Sequence, residues 1–164
     1  MSLTFHKKAF SELTTGELYE LLRIRNEVFV VEQDCVYQDL DYDDQPAIHL
    51  WLTEGDKIVA TCRVCPAGTH MQEVSIGRVI TTVRGKGYGK QIMQAGIEVA
   101  REFFGATQID LEAQEYAKGF YEQVGFRQSS EPFILDGILH IRMTWNPEGD
   151  AGYCRSPRKG QARL

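Results

Sequence analysis

The middle of this chain carries the pattern of a strand, a glycine-rich turn and a helix in direct succession. Residues 74–80 are rich in β-branched side chains, and the apolar residues of 92–104 recur at the spacing of one helical face. The turn at 84–90, Arg-Gly-Lys-Gly-Tyr-Gly-Lys, leaves backbone N–H groups free at the positive end of the helix dipole and supplies three cations. This combination predicts a phosphate-binding site. A tight strand–helix connection with solvated charges is the alternative interpretation.

Two common phosphate-binding loops do not fit this turn. A Walker-type loop requires glycine in place of Arg84 and Ser or Thr in place of Gln91. A dinucleotide-binding loop requires glycine in place of Lys90. The pattern that remains is Gln/Arg-x-x-Gly-x-Gly, formed here by Arg84, Gly87 and Gly89.

Length and composition indicate one domain with a substantial core, since 43% of the 164 residues are hydrophobic and 25% are charged. No apolar run is long enough to span a membrane, and residues 1–10 lack the apolar stretch of a secretory signal. We therefore expect a cytoplasmic protein without a membrane partner. The formal charge of −5 argues against nucleic-acid binding and is compatible with a cationic partner. A homodimer is left open.

Residues 147–164 differ in composition from the rest of the chain. They are poor in aliphatic side chains and rich in glycine, proline and charge. Such a segment buries too little apolar surface to offset the entropy lost on ordering. We predict a single domain over residues 1–146, followed by a disordered basic tail. An arm that binds nucleic acid or a partner is the alternative.

The pair Cys62-x-x-Cys65 has the spacing of a metal or redox motif, but it lies in a strand-like run. Residues three apart on a strand point to opposite faces and lie roughly 10 Å apart, which exceeds the span of a disulfide. No second cysteine or histidine pair has zinc-finger spacing. We predict that the cysteines at 35, 62, 65 and 154 are structural and that no metal is bound.

Capping and turn signals place the other elements. Thr14-x-x-Glu17 is a capping box that begins the first helix, and strands at 49–53 and 57–64 are joined by the hairpin turn Glu54-Gly55-Asp56. The predicted inner face of that helix is Leu18, Leu21, Leu22, Arg25, Val28 and Phe29.

The second half of the chain continues the strand–turn–helix unit. A strand at 107–113 follows the long helix, so it pairs in parallel with the strand at 74–80. A short helix over 117–124 precedes a hairpin whose turn is Asp136-Gly137. The order predicts an α+β fold with a mixed, mostly antiparallel sheet that contains one parallel strand pair and is flanked by helices.

A second motif, Phe120-Tyr121-Glu122-Gln123-Val124-Gly125-Phe126, lies on that short helix. With the glycine turn it resembles the GNAT superfamily of acyl-CoA-dependent N-acyltransferases. Narrower similarity to the ElaA-type branch comes from Val28–Gln33, Ile76–Val79, Ala113-Gln114 and the segment 136–141. The resemblance runs from about residue 18 to residue 143 and does not cover the tail.

The resemblance implies a donor site. In relatives the strand before the loop splays from its parallel neighbour, and the pantetheine arm of acetyl-CoA lies in the opening against Val79, Ile80 and Thr81. Tyr121 matches the family tyrosine near the thioester sulfur, and Gln114 stands where many relatives have Asn. The residues implied for the pyrophosphate are Arg84, Gly85, Lys86, Gly87, Tyr88, Gly89 and Lys90.

The implied activity is transfer of acetyl from acetyl-CoA to a primary amine by direct attack on the thioester. The N–H of Ile80 would stabilise the oxyanion, and Tyr121 would be the general acid. No residue stands out as the base. A non-catalytic acyl-CoA sensor and an unrelated nucleotide-binding protein are the alternatives. The base candidates, beside a water chain, are Glu32, His49, Glu73, Glu112 and His140.

The acidic run between 34 and 44 lies where relatives line the acceptor side. Asp39-x-Asp41-x-Asp43 has the spacing of a calcium loop, but Asp44 and Leu50 occupy the positions that need glycine and glutamate. We predict loop capping by the side-chain oxygens, with attraction of a cationic acceptor as the alternative.

Overall fold

The computed structural model describes residues 2–147, and the predicted tail, apart from Pro147, lies outside these residues. Within them the chain forms one eight-stranded sheet in the order β1-β2-β3-β4-β5-β8-β6, with β7 paired to β8. The strands are β1 (Leu3–Ala9), β2 (Ile48–Glu54), β3 (Lys57–Cys65), β4 (Val74–Thr81), β5 (Ile109–Gln114), β6 (Arg127–Gln128), β7 (Phe133–Leu135) and β8 (Ile138–Trp145). The helices are α1 (Thr15–Arg25), α2 (Tyr88–Phe104) and α3 (Lys118–Gln123), with a π-helix at Asn26–Glu32 and 3₁₀ turns at Phe10–Glu12 and Glu115–Ala117.

The predicted α+β fold is confirmed, including its single parallel pair among otherwise antiparallel neighbours. β4 and β5 pair only through Val74 with Ile109 and Ser75 with Asp110. Both strands continue beyond these residues without further pairing to each other, so they part toward their carboxyl ends. The predicted splay therefore opens a cleft between two adjacent strands of the sheet.

Helix α2 covers the sheet beside this opening. Its buried residues include Ile92, Met93 and Val99, which form the centre of the core with side chains of β3 and β4. Gly96 permits the close approach, because a Cβ there would lie 3.1 Å from Ile76 Cδ1 and 3.4 Å from Cys62 Sγ. No helix within residues 2–147 is both long and apolar enough to cross a membrane.

The first helix begins at the predicted capping box. Thr14 Oγ1 accepts from the Glu17 N–H at 3.0 Å, and Glu17 Oε1 accepts from the Thr14 N–H at 2.9 Å. The predicted inner face is only partly right, since Ile24 is buried beside Leu21 and Arg25. The chain changes to a π-helix after Arg25, so the 3.6-residue period no longer applies to the rest of the face.

β1 was not predicted from the sequence, and it pairs antiparallel with β2 from Leu3–Glu54 to Ala9–Ile48. None of its residues is buried, because β1 is at the edge of the sheet, and it therefore lacks a clear apolar alternation. Its His6 ring stacks on Trp51 with centroids 4.9 Å apart. β6 was also not predicted, because a strand of two residues shows no periodic pattern.

Candidate active site

The opening between β4 and β5 is part of a cleft with a volume of about 870 Å³, within the size range of small-molecule sites. Its walls come from both strands, the π-helix, α3, the β3–β4 connection and the β7–β8 turn. Of the residues predicted for the donor site, the cleft is lined by Val79, Ile80, Thr81, Arg84, Gly89, Gln114 and Tyr121.

A β-bulge shapes the β4 wall. Thr61 pairs with Ile80 and Arg63 with Gly77, so two residues of β4, Arg78 and Val79, oppose the single residue between them on β3. Arg78 is left-handed, with φ of 53°. That conformation at a bulge normally belongs to glycine, so its occupation by arginine indicates that the side chain holds the backbone in place.

The Arg78 side chain is anchored by the segment that precedes β2. Its Nε donates to Asp39 Oδ1 at 2.6 Å, and its Nη2 donates to the Asp39 carbonyl at 2.8 Å and to Asp41 Oδ2 at 3.2 Å. The guanidinium also lies over the Tyr37 ring, 5.7 Å from the centroid. The bulge and the polar segment are therefore one connected unit.

Two buried arginines bind the same acidic run. Arg25 pairs with Asp44 at 2.7 Å and with Asp39 at 3.0 Å, while Arg63 pairs with Asp41 at 2.7 Å and with Asp44 at 3.1 Å. Burial opposes ionisation of Asp44, but the hydrogen bond from Arg25 prevails and holds the pKa of that carboxyl below its usual range.

The acidic run shows the predicted loop capping in part, together with a second role. Asp41 Oδ1 does accept from the Asp43 N–H at 3.1 Å, as loop capping requires. The carboxylates of Asp39, Asp41 and Asp44, however, are neutralised by arginines of the chain itself. Their main action is to fix the polar segment to α1, β3 and β4, so they have little charge left for a cationic acceptor.

The glycine turn begins α2 without a side-chain cap. Gly87 is the N-cap in a left-handed conformation with φ of 76°, and Gly85 has φ of 81°. A Cβ at either position would meet no atom within 4 Å, so the backbone conformation, rather than space within the chain, requires glycine. The first N–H groups of α2 consequently have no intrahelical partner and remain available to an anion.

The other residues predicted to bind the pyrophosphate differ in their exposure. Gly85, Lys86, Gly87 and Lys90 are exposed on the turn beside the cleft rather than in its lining. The Tyr88 side chain is buried and its hydroxyl donates to Glu54 Oε2 at 3.3 Å, so only its backbone is available to a ligand. Gly89 is tightly packed, because a Cβ there would lie 3.2 Å from Phe120 Cζ.

Tyr121 lies on α3 in the cleft wall. Its ring contacts Phe120 edge to face, with centroids 5.0 Å apart, and its hydroxyl has no hydrogen-bond partner among residues 2–147. Burial raises the pKa of this phenol well above its usual value. The hydroxyl is therefore a protonated donor without a bonded partner in the described chain, on a residue that lines the cleft.

Gln114 ends β5 in the same wall. Its Nε2 donates to Gln33 Oε1 at 3.2 Å, which ties the end of the splayed strand to the turn after the π-helix. The amide thus has a role within the protein that its position in the sequence did not indicate.

Only some of the predicted base candidates lie in the cleft. Glu32, Glu112 and His140 line the cleft, whereas Glu73 and His49 do not. His49 is buried, with its Nε2 2.9 Å from the Asp44 carbonyl oxygen, and burial lowers its pKa.

His70, which was not predicted from the sequence, also lines the cleft from the β3–β4 connection. Its Nδ1 lies 3.1 Å from Asp43 Oδ2 and its Nε2 lies 3.3 Å from Glu112 Oε1. The connection carries only turn signals, and the two carboxylates are 27 and 42 residues away in sequence, so no local pattern could reveal the contact.

The structure brings other ionisable groups together without creating an open metal site. Ligand atoms of Asp41, Asp43 and His70 lie within 4.8 Å of one another. These groups already have partners, because Asp41 binds Arg63 and Arg78 while His70 binds Asp43 and Glu112. We therefore assign them to ion pairs.

Cys62 and Cys65 are free, buried thiols of β3. Burial raises the pKa of Cys62 to about 12 and that of Cys65 to about 11, so neither forms a thiolate readily. Their inertness agrees with a structural role.

Comparisons with known proteins identify the family of this chain. Residues 12–147 match the family model described as an acetyltransferase (GNAT) domain. A UPF0039 protein of Schizosaccharomyces pombe is 38% identical over 146 residues, which cover 87% of this chain and 96% of that protein.

Two solved structures are similar along nearly the whole described chain. The crystal structure of an acyl-CoA N-acyltransferase from Pseudomonas aeruginosa has a TM-score of 0.81 and 36% identity, covering 88% of this chain and 99% of that one. The crystal structure of Escherichia coli ElaA has a TM-score of 0.82 and 34% identity, covering 88% of this chain and 100% of that one. The chain therefore belongs to the GNAT family of acyl-CoA-dependent acyltransferases, in the branch that contains ElaA and the UPF0039 proteins.

Proposed function

We propose that this protein transfers an acetyl group from acetyl-CoA to a primary amine. The observation that carries the proposal is the cleft between β4 and β5, whose wall includes both the start of α2 at Gly89 and the unpartnered hydroxyl of Tyr121. Acetyl as the acyl group is supported by the description of the matching family model as an acetyltransferase domain.

The donor would lie with its pyrophosphate on the glycine turn. The free N–H groups at the start of α2 suit a phosphate, and Arg84, Lys86 and Lys90 add positive charge around it. The pantetheine arm would follow the main chain of Val79–Thr81, which β5 leaves unpaired where the strands part.

Chemistry requires alignment of an amine with a thioester that is already activated. The amine lone pair attacks the carbonyl carbon, the oxyanion receives a hydrogen bond from the Ile80 N–H, and the C–S bond then breaks to release CoA. Tyr121 would protonate or hydrogen-bond the leaving sulfur. Because the pKa of Tyr121 is raised, it starts as the neutral phenol that this role needs, and it acts mainly by donating a hydrogen bond to the thiolate.

An amine acceptor is supported by the charge of the remaining wall. Glu32 and Glu112 line the cleft, and Glu32 has no ion-pair partner within residues 2–147. Carboxylates favour an approaching ammonium group.

Free thiols at Cys35, Cys62 and Cys65 suit the reducing cytoplasm, which we propose as the location of the protein.

The test has a binding step and a turnover step. Acetyl-CoA and CoA should each raise the melting temperature of the protein, while ATP should not. Thiol release should then appear when a panel of primary amines is added, and mass spectrometry should find the acetylated amine. Stabilisation by acetyl-CoA without thiol release for any amine would favour the sensor, and no stabilisation by any CoA species would refute a CoA site.

A further inference from the structure

Three ionisable side chains from separate parts of the chain meet in the cleft wall. His70 comes from the β3–β4 connection, Asp43 from the segment before β2, and Glu112 from β5. Each ring nitrogen of His70 is hydrogen-bonded to one carboxylate, at 3.1 Å for Asp43 and 3.3 Å for Glu112. Two carboxylates at the ring nitrogens favour the imidazolium form of His70, because an ionised carboxylate only accepts hydrogen bonds.

Neighbouring charges act on this pair from several elements. The hydrogen bond to Glu112 raises the pKa of His70, with Asp43 acting in the same direction, while burial and Arg63 on β3 oppose them. The hydrogen bond from His70 lowers the pKa of Glu112 against its burial, and Arg142 and His140 on β8 also lower it. Asp41 is a further carboxylate, 3.9 Å from His70 Nδ1.

A solute can reach both members of the pair. The His70 side chain is 30% exposed and that of Glu112 is 25% exposed, and both line the cleft that also contains Tyr121. Asp43 is bonded to the other ring nitrogen, so it fixes the tautomer without occupying Nε2. A histidine fastened only to hold two segments together would need no access to the cleft.

We propose that His70 takes the proton from the acceptor ammonium and that Glu112 binds this ammonium beside it. Asp43 is the positioning residue that keeps the Nδ1 proton in place. This inference rests on the proposed acyl transfer to an amine and specifies which groups prepare that amine.

In the active form His70 is neutral, with Nδ1–H donated to Asp43 and the Nε2 lone pair directed toward Glu112. An ammonium that displaces the direct contact between the two side chains donates one N–H to Glu112 and another to Nε2. That second N–H bond breaks, Nε2–H forms, and the amine nitrogen keeps the electron pair with which it attacks the thioester carbon.

The resulting imidazolium donates to Glu112 across the contact that the structure shows between Nε2 and Oε1, at 3.3 Å. Solvent then receives the proton and restores neutral His70. The contact between His70 and Glu112 thus has the geometry that the deprotonation step would leave behind.

The decisive variant is His70→Gln, whose amide can still donate to Glu112 but cannot take up a proton. We expect kcat for an alkylamine acceptor to fall on the order of 10²-fold. In the wild type, kcat/KM for the amine should rise with pH through the pKa of His70, measured independently by NMR titration of its ring. In His70→Gln that rise should disappear. Glu112→Gln should mainly raise KM for the amine.

Hydroxylamine is the second probe, because it is neutral near pH 7 and needs no base. The wild type and His70→Gln should acylate it at rates within a few fold of each other. The matched control is His6→Gln on β1, outside the cleft, which should leave the kinetics with both amines unchanged.

Two results would overturn the inference. One is an equal loss of rate in His70→Gln with hydroxylamine and with the alkylamine, which would show that His70 only holds segments of the chain together. The other is an unchanged pH dependence of kcat/KM in His70→Gln, which decides the matter even where hydroxylamine proves a poor acceptor. Failure of the proposed function looks different, since the wild type itself would then release no thiol with any amine, and the inference would fall with it.

Discussion

Arg78 Nε donates to Asp39 Oδ1 over 2.6 Å, from a residue whose backbone is left-handed at the bulge of β4. A non-glycine residue in such a conformation costs about 1–3 kcal/mol and persists only when its surroundings hold it there. The bulge occurs beyond the last β4–β5 pair, at the point where the strands part. Asp39 therefore shapes the β4 wall of the cleft through Arg78.

Replacing Arg78 tests that relationship. Arg78→Ala keeps the backbone strain and loses the anchor, whereas Arg78→Gly loses the anchor but removes the strain. We expect the alanine variant to be less stable than the glycine variant by about 1 kcal/mol in urea unfolding. Both should lose activity by more than tenfold in kcat while still binding CoA at the turn. Wild-type kcat in Arg78→Gly would show that the anchor is unnecessary.

Asp44→Asn tests the buried ion pairs that Asp44 forms with Arg25 and Arg63. Asp44 binds both Arg25 and Arg63, and removal of its charge leaves two buried guanidinium groups with too little compensation. We expect a loss of about 3 kcal/mol in the free energy of urea unfolding at neutral pH. Glu20→Gln, which breaks an exposed pair with Arg23 on α1, is the matched control and should change stability by no more than about 0.5 kcal/mol.

The same variant has a pH signature. The pKa of Asp44 lies below its ordinary value, so its stabilisation is fully present above that ordinary value and is lost as pH falls through the lowered one. The stability gap between wild type and Asp44→Asn should accordingly narrow as pH drops below about 4. A constant gap down to strongly acidic pH would contradict the ion-pair account.

Local signals predicted much of the fold and part of the site. The capping box at Thr14, the glycine turn before α2 and the hairpin at Asp136-Gly137 each depend on neighbours within a few residues, so the sequence shows them directly. Contacts between distant residues were not predictable in this way. Arg25 and Asp44 are 19 residues apart, and His70 and Glu112 are 42 apart, without any periodicity that links them.

Irregular backbone was also not predictable from the sequence. The bulge at Arg78 carries arginine where glycine would have announced a left-handed residue, and its cause is the contact with Asp39 on another segment. The π-helix after Arg25 likewise gives no signature in a 3.6-residue pattern. Both features shape the cleft, so the walls of the candidate site were harder to predict than its glycine turn.

Gly89→Ala should weaken CoA binding by displacing the start of α2. The new Cβ would lie 3.2 Å from Phe120 Cζ and 3.5 Å from Thr81 Oγ1, so the helix end must shift or the phenyl ring must move. We expect a rise of about tenfold in the Kd of CoA, measured by calorimetry, from a strain of about 1–2 kcal/mol.

Gly119→Ala is the matched control for Gly89→Ala, because a Cβ at Gly119 meets no atom within 4 Å. That variant should leave the Kd of CoA unchanged and stabilise α3 by about 0.5–1 kcal/mol. Equal CoA affinity in the two alanine variants would contradict a steric role for Gly89.

Tyr121→Phe separates a functional hydroxyl from a structural one. The hydroxyl has no hydrogen-bond partner within residues 2–147, so its removal should not lower the free energy of unfolding. If it donates to the leaving sulfur, kcat should fall on the order of 10²-fold while the Kd of acetyl-CoA changes little. Tyr19→Phe, on the exposed face of α1, should alter neither quantity. A Tyr121→Phe variant with full kcat would assign the leaving-group role to another donor, whereas one that is clearly less stable would reveal a structural contact for the hydroxyl.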